Sequence, residues 1–300
     1  MPYLSLTLPE FQERFSSEEA CLQAVFENKW PHGFVCPHCE HNDGYLISGR
    51  RNIECACCGK QTSITVDTVF ERSHVPLVIW FLMMYLMAQD KGGVSGQRLA
   101  DQLGMRYATV LSMLHRLREA MGARDENLTL AGYIELDESF FGGVNKGKKY
   151  GNSAYANKRQ VLIMVESEGR QAGNLVMKVI DNASRDTLEP ILQQKIESET
   201  NGQVVRADGL QDHAVIQSLG HTLKMTPVPA SKQDHEFPCL SLATTLLRRF
   251  LMGTFHHYCK VHLQRFLDEF CFRWNRRHNW CQLFSRLLKA CALHPNARPA

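Results

Sequence analysis

The sequence predicts a multi-domain α/β protein, because three different patterns follow one another along its 300 residues. Two Cys-x-x-Cys pairs lie near the N-terminus, a helical apolar pattern covers residues 74–122, and strand-like alternation begins at about residue 131. The composition, 44% hydrophobic and 22% charged, is that of an ordinary folded protein. The chain is therefore long enough for two or three domains, each with its own core.

The N-terminal part combines a helical lead-in, residues 1–30, with a predicted metal site in residues 31–70. The second segment contains Cys-Pro-His-Cys and, fifteen residues later, Cys-Ala-Cys-Cys. Four thiolates at this separation can surround one tetrahedral Zn²⁺, and such a closed site stabilises a fold and does not catalyse. The alternative is a chance cluster of buried cysteines, and Cys57 is the extra one. The spacing predicts a structural zinc ribbon with the ligands Cys36, Cys39, Cys55 and Cys58.

Residues 74–122 are predicted to form helices. A Leu-Ala-x-x-Leu-Gly segment at residues 99–104 leads through a glycine turn into a second helix. This is the pattern of helix-turn-helix domains, whose second helix enters the major groove of DNA. Arg106, Arg116 and Arg118 are the predicted DNA contacts. The alternative is a plain helical hairpin that joins two domains and leaves these arginines in solvent.

The rest of the chain alternates strands and helices. Three strands are followed by a helix, a fourth strand, a second helix and a short fifth strand, and two long helices come last. This is the element order of the ribonuclease-H-like fold. The strands are predicted at residues 133–140, 160–166, 174–180, 203–207 and 222–225, and the last two helices at 238–252 and 259–276.

Charge and hydropathy narrow the function classes. The formal net charge is +3, but from Arg248 onward ten Lys or Arg residues face two acidic ones, which predicts a polyanion-binding surface or a solvated helix face. The longest apolar run, residues 75–88, is too short to span a bilayer, so no membrane partner is expected. The 11 cysteines are too sparse for a disulfide scaffold. These features predict a cytoplasmic protein.

An ordered set of motifs resembles one family of bacterial proteins. The motifs are Cys-Pro-x-Cys at 36–39, Gln-Thr-Ser-Ile-Thr-Val-Asp-Thr-Val-Phe at 61–70, Glu-Leu-Asp-Glu at 135–138 with Gly-Gly at 142–143, Ala-Asp-Gly at 207–209, Gly-Thr-Phe-His at 253–256, and the segment 262–277. Together they are similar to the insertion-sequence transposases of the group numbered fifteen-ninety-five, which join a zinc ribbon to a ribonuclease-H-like DDE domain. The likeness covers residues 15–280, with the DDE domain expected at 128–280 and a basic tail at 281–300.

The resemblance implies a DNA transposase that binds the terminal inverted repeats of its element and catalyses Mg-dependent DNA cleavage and strand transfer. Such chemistry places an attacking oxygen in line with a phosphodiester, and two Mg²⁺ ions held by carboxylates neutralise the developing charge. Asp137 on the first strand and Asp208 after the fourth are the implied magnesium ligands. Transposon ends and target DNA are the expected partners, and the resemblance implies a homo-oligomer on DNA at the bacterial nucleoid.

The third ligand of the expected trio departs from the family pattern. Counting back from the Gly-Thr pair places Arg248 at the position of a DNA-contacting lysine and Ser241 at the ligand position, where relatives have Glu, Asn or His. Serine is neutral and short, and therefore a poor Mg²⁺ ligand. Glu236 is a candidate substitute, although Pro238 begins a helix just after it. The alternative function is a catalytically degenerate relative that retains only DNA binding.

Further cations are predicted to grip DNA. Lys146, Lys148 and Lys149 lie in a glycine-broken segment with interleaved tyrosines, which favours contact with phosphates and bases, or else forms a surface loop. Arg276 and Arg277 lie near one face of the last predicted helix, and they contact either phosphates or acidic strand ends.

On the first strand, Glu135 shares the face of Asp137 and is at best an outer neighbour of the metals. Glu138 points to the other face and is expected to pair with a cation.

Overall fold

The computed structural model describes residues 6–47, 50–142, 158–197, 202–207, 214–226, 236–255 and 260–294. The chain forms two compact units, one of Met1–Arg124 with His278–Ala300 and the other of Asp125–Arg277. The second unit is thus an insertion into the chain of the first. None of the helices in the described ranges is both long and apolar enough to cross a membrane.

The first unit contains a small antiparallel sheet with the strand order β1-β2-β3. Its strands are β1 Gly44–Leu46, β2 Asn52–Cys55 and β3 Gln61–Ser63. Residue 44 must be glycine, because a Cβ there would lie only 2.8 Å from the carbonyl oxygen of Glu54 and from the Ile53 side chain. Strands β1 and β2 therefore lie close together at this point.

Helices make up the rest of the first unit. They are α1 Leu8–Arg14, α2 Glu18–Lys29, α3 Leu77–Gln89, α4 Gly96–Leu103, α5 Tyr107–Arg124 and a C-terminal helix that we label α10, Leu283–Leu293. Phe284 of α10 packs its ring against those of Phe11, Phe15 and Phe81. Burial of α3 on most sides explains the apolar run of residues 75–88, which is a core helix. The prediction of a basic tail at 281–300 is wrong for residues 283–293, because the apolar face of α10 is buried.

Helices α4 and α5 are joined by a short turn at the place where the sequence predicts a helix-turn-helix. The side-chain oxygen of Ser95 accepts a hydrogen bond from the backbone N–H of Arg98, which caps α4. Gly104 ends the helix in the left-handed conformation with φ of 61°, as a turn between two helices commonly requires. A Cβ on Gly96 would lie 3.0 Å from the Tyr107 ring, so the two helices meet closely.

The second unit is built on a five-stranded mixed sheet with the order β6-β5-β4-β7-β8. Strands β4, β5 and β6 are antiparallel neighbours, whereas β7 is parallel to both β4 and β8. This is the topology of the ribonuclease-H-like fold, as the element order predicted. The strands are β4 Tyr133–Gly142, β5 Lys158–Glu168, β6 Gln171–Ile180, β7 Val204–Ala207 and β8 Thr222–Met225.

Helices cover both faces of this sheet. On one face, α6 Arg185–Lys195 and α7 Val215–Ser218 pack with side chains of β4 and β7 that include Leu136 and Val205. On the other face, two helices that we label α8, Pro238–Phe250, and α9, Leu263–Trp274, bury Val161, Ile163 and Val165 of β5. Because side chains alternate along a strand, β4 sends Glu135, Asp137 and Phe141 toward the α8 face. That face is where the candidate site lies.

Candidate metal centres and DNA-binding surfaces

Four cysteines converge in the ribbon. The sulfurs of Cys36, Cys39, Cys55 and Cys58 all lie within 4.8 Å of one another. The sulfur of Cys36 is 3.7 Å from that of Cys58, and the sulfur of Cys39 is 3.5 Å from that of Cys55. A tetrahedral zinc with Zn–S bonds of about 2.3 Å places its sulfurs about 3.8 Å apart, so this donor set fits the ion. Cys57 is exposed and outside the cluster.

The two ends of the cluster have the same local design. The backbone N–H of Glu40 donates to the carbonyl of Cys36, and the N–H of Gly59 donates to the carbonyl of Cys55. Glu40 and Gly59 both adopt positive φ, 58° and 65°. Hydrogen bonds from the backbone N–H groups of Cys58 and Cys57 lower the pKa of the Cys55 thiol to about 6, which favours the thiolate that zinc binds. Each Cys-x-x-Cys pair is thus a preformed knuckle.

Asp137 lies in the middle of the central strand β4, half-buried on the α8 face. Its Oδ1 accepts a hydrogen bond of 2.8 Å from the backbone N–H of Glu138, which fixes the carboxylate against its own strand. The register of β4 with β7 ends at the pair Leu136 and Ala207. In the sequence, Asp137 follows the first of these and Asp208 the second. Asp208 itself lies outside the described residues.

Glu135 holds the start of α8. It is fully buried, and its two carboxylate oxygens accept hydrogen bonds of 2.8 Å from the backbone N–H of Leu240 and from the hydroxyl of Ser167. Burial raises the pKa of the Glu135 carboxyl, and these hydrogen bonds oppose the shift. The first turn of α8 has no cap from its own N-cap residue, Phe237. The strand that carries Asp137 therefore caps the helix that carries Ser241.

The predicted third position lies on a polar stripe of α8. Ser241, Thr244, Thr245 and Arg248 follow the helical spacing and stay at least partly exposed, while Ala243 and the other core-facing residues are buried. One end of the helix is tied to β4 at Glu135. At the other end, the guanidinium of Arg248 donates to the Ser139 hydroxyl over 3.4 Å.

The stretch of α8 between these two contacts thus runs beside the stretch of β4 that contains Asp137. Helix α8 has the sequence PCLSLATTLLRRF, without a carboxylate.

Glu236, the predicted substitute ligand, is exposed just before α8. Its carboxylate accepts a hydrogen bond of 3.5 Å from the guanidinium of Arg206. The centre of that guanidinium also lies 5.3 Å from the centre of the Phe237 ring. Glu236 is therefore engaged with a cation of β7.

The arginines that follow α9 are tied to the protein. Arg276 forms a short ion pair with Asp125, 2.6 Å, and stacks over the Phe272 ring at 3.7 Å. Arg277 donates to the backbone carbonyls of Gly173, Trp274 and Ala172. Both arginines, which were predicted to contact DNA, thus bind groups of the protein itself. The acidic partner of Arg276, Asp125, is not at the end of a strand.

Arg273 binds Glu269 at 2.8 Å in the core, and the Trp274 ring is buried.

The predicted contacts of the helix-turn-helix separate into one exposed arginine and two engaged ones. Arg106 is exposed at the start of α5. Arg116 donates to the backbone carbonyls of Val69 and Glu71, at 3.3 Å each. Arg118 is 1% exposed, so its predicted contact with DNA is wrong for this structure: a buried guanidinium does not reach a phosphate.

The sequence prediction named only cations as DNA contacts, and it therefore missed two other exposed residues of α5. Tyr107 and Ser112 are exposed on this helix. By helical phase Ser112 points away from the core-facing side of Val110, Met113 and Leu117, whereas the Tyr107 ring lies beside Gly96 of α4. The predicted basic contacts Lys146, Lys148 and Lys149 lie outside the described residues.

Comparisons with known proteins agree with this architecture. Residues 129–275 match the family described as the ISXO2-like transposase domain, and residues 16–61 match the family described as the transposase zinc-ribbon domain. A curated relative, "Uncharacterized protein in transposable element ISH50" of Halobacterium salinarum, is 26% identical over 138 residues. The match covers 45% of this chain and 46% of that protein, so the chain spans about half the length of the curated relative it matches.

Solved structures of Mos1 transposase are also similar. A pre-cleavage Mos1 transpososome matches with 13% identity and a TM-score of 0.23, covering 69% of this chain and 76% of that chain. The Mos1 mariner paired end complex with Mn matches with 13% identity and a TM-score of 0.24, covering 69% and 77%. At such scores the likeness carries no structural argument.

Proposed function

We propose, from the premise that this chain belongs to the insertion-sequence transposases with a zinc ribbon and an ISXO2-like DDE domain, that it cuts and rejoins DNA at the ends of its own element. The observation that supports this most is the place of Asp137. It lies on the central strand of a ribonuclease-H-like sheet, beside α8, one residue beyond the pair Leu136 and Ala207 with which the register of β4 and β7 ends. A family match alone would leave the position of the chemistry open.

The proposed reaction needs hard cations held by oxygen ligands. Asp137 and Asp208 are the proposed ligands, and the divalent ions, Mg²⁺ by preference, would supply the charge that stabilises an in-line displacement at phosphorus. The role of the protein is to hold the Asp137 carboxylate in a fixed orientation. The N–H of Glu138 fixes Asp137, and the Glu135 carboxylate fixes the start of α8 opposite it. Arg248, which donates to the Ser139 hydroxyl at the far end of that helix, would bind a DNA phosphate.

DNA recognition is proposed for the first unit. Arg106 is exposed just before α5, and Tyr107 and Ser112 are exposed on it; these residues would contact the inverted repeat in its major groove. The zinc ribbon would hold its fold through the four thiolates and add a second DNA contact. An element has two ends, so joining both would require at least two copies of the chain on DNA, as the resemblance to transposases implies. The reducing bacterial cytosol, which contains the nucleoid, would keep the exposed thiol of Cys57 reduced.

A second candidate function is DNA binding without catalysis. Helix α8 contains no acidic residue, Ser241 stands at the third-ligand position, and Glu236 is engaged with Arg206. A site with two carboxylates binds Mg²⁺ more weakly than one with three, because each carboxylate contributes charge and a hard oxygen. The missing third carboxylate is the observation that favours this second function.

The deciding test is strand transfer of labelled element-end DNA into plasmid DNA, with Mg²⁺ or Mn²⁺. We expect Asp137→Ala to reduce the product by more than about 100-fold, since it removes a direct metal ligand. Asp181→Ala is the matched control, because this aspartate lies just past β6 with 86% of its side chain exposed. Wild-type activity in the control and none in Asp137→Ala supports the transposase. Equal, null products from wild type and Asp137→Ala support the DNA-binding relative.

A further inference from the structure

The sheet face that carries Asp137 is covered over only part of its width. On β5, the side chains of Val161, Ile163 and Val165 are fully buried beneath the helices. On β7 and β8, the side chains of the same face remain open within the described structure: Arg206 is partly exposed and Lys224 is exposed. The boundary between the two halves is β4 itself.

Strand register defines what the open half presents. Glu135 pairs with Arg206, which pairs with Lys224, so these three side chains form one row across β4, β7 and β8. Tyr133 begins the next row, and Asp137 lies on the same face two residues beyond Glu135. Because two residues of a strand span about 7 Å, the row of Arg206 lies about one such step from the row of Asp137. The open half therefore leads directly to the candidate site.

The open half of the face combines an exposed aromatic ring with cations, which is unusual for a surface without a binding function. Tyr133 keeps 55% of its surface exposed, although it is a large aromatic residue at the start of a central strand. The ammonium of Lys224 lies 5.8 Å from the centre of the Tyr133 ring, and the guanidinium of Arg206 lies 5.3 Å from that of Phe237. The Phe237 ring is buried, so the surface presents one exposed ring, that of Tyr133, beside two cations. A groove for single-stranded nucleic acid combines such groups, since cations bind phosphates and an exposed ring stacks on a base.

We propose that Tyr133, Arg206 and Lys224 form a binding surface for a DNA strand that flanks the cleaved bond. This inference rests on the proposed function, because it takes Asp137 as the point of cleavage. Lys224 and Arg206 bind the phosphates of the flank, and Arg206 exchanges its contact with Glu236 for one of them. Tyr133 stacks on an unpaired base. The occupant is DNA, and charge complementarity is the reason: the row holds two cations, while its own carboxylate, Glu135, is fully buried.

A structural role for Lys224 makes a different prediction. β8 is an edge strand of the sheet, and an exposed lysine on an edge prevents pairing with the edge of another molecule. If that is its whole role, then Lys224→Ala aggregates more readily and binds DNA as the wild type does. The aromatic neighbour has no part in such a role.

The test measures DNA binding of the full-length chain in chelator-treated buffer to which only zinc is restored, so that cleavage plays no part. The probes are a fluorescein-labelled blunt duplex and the same duplex with a short single-stranded flank. We expect Tyr133→Ala and Lys224→Ala each to weaken binding of the flanked probe about tenfold, and the blunt probe by less than about twofold. Lys224→Ala should also lower the salt dependence by about one ion.

Controls keep the result specific. Arg185→Ala removes an exposed arginine of α6, on the opposite face of the sheet, and should bind both probes as the wild type does. Tyr133→Phe keeps the ring and should keep the affinity. Circular dichroism checks that each variant is folded. Wild-type affinity of Tyr133→Ala and Lys224→Ala for the flanked probe, or an equal loss on both probes, overturns the proposal. Failure of strand transfer with the predicted binding pattern intact overturns only the catalytic function.

Discussion

The cysteine cluster and the carboxylate site are assembled in opposite ways. The cluster takes its sulfurs from two knuckles whose hydrogen bonds lie within a few residues of each cysteine, and all four sulfurs converge. The carboxylate site takes Asp137 from β4, needs the strand that precedes Asp208, and depends on α8 from later in the chain. A local site is determined by spacing, whereas a site spread over the chain is determined by contacts such as that of Glu135 with Leu240. The first tolerates little change in its ligands, and the second tolerates little change in its supports.

The largest effect is expected from breaking the local site. Cys58→Ser should lose zinc and unfold the ribbon, because zinc binding contributes on the order of 10 kcal/mol to small domains of this kind, comparable with the whole stability of a domain. Cys57→Ser is the matched control, since the neighbouring thiol is exposed and outside the cluster. Zinc content by metal analysis and ribbon structure by NMR are the measurements. Full zinc content in Cys58→Ser, or its loss in Cys57→Ser, would contradict the assigned ligand set.

The next effect tests the supports of the spread site. Glu135→Ala should lower the free energy of unfolding of the second unit by about 3 kcal/mol, because the N–H of Leu240 and the hydroxyl of Ser167 lose a buried charged acceptor. Glu135→Gln keeps one acceptor oxygen and should lose less. Urea unfolding measures both, with Glu168→Gln, an exposed residue at the end of β5, as the control. If Glu135→Ala lowers the free energy of unfolding no more than the control does, the hydrogen bonds that Glu135 accepts do not stabilise the second unit.

The sequence predicted most of the fold and the whole of the cysteine site. Alternation and turn residues located the strands, and the Cys-x-x-Cys spacing alone identified the four cysteines whose sulfurs converge. It could not tell engaged arginines from free ones: Arg118 and Arg276 look like DNA contacts until their burial and the partner Asp125 are known. Nor could it foresee α10, since its amphipathic pattern gains meaning only when the first unit provides an apolar surface for it. Such contacts join residues more than a hundred positions apart.

A smaller gain is expected from completing the carboxylate site. Ser241→Glu adds a carboxylate on the helix beside the strand of Asp137, and we expect it to raise affinity for Mn²⁺ about tenfold and strand transfer with it. Leu242→Glu is the matched control, because its side chain is exposed one position along the same helix and points elsewhere. Electron paramagnetic resonance of bound Mn²⁺ gives the affinity without relying on activity. An equal gain in Leu242→Glu would mean that added charge, and not position, is responsible.

The smallest effect concerns a carboxylate that resembles a site residue and is only structural. Burial raises the pKa of Asp268 in α9 from 3.8 to about 7, while a hydrogen bond from Gln264 opposes the shift. The folded state therefore holds the proton to higher pH than the unfolded state does, so this group favours folding at low pH and loses its contribution as pH rises through about 7.

Between about pH 6 and about pH 8 the free energy of unfolding should fall by about 1 kcal/mol more in the wild type than in Asp268→Asn, which cannot ionise. Urea unfolding at several pH values measures the difference. The same slope in both proteins would assign the pH dependence to another group. A slope tied to Asp268 and insensitive to Mg²⁺ would show that burial alone perturbs a carboxylate in this unit, so that a raised pKa, as at Glu135, does not by itself identify a metal ligand.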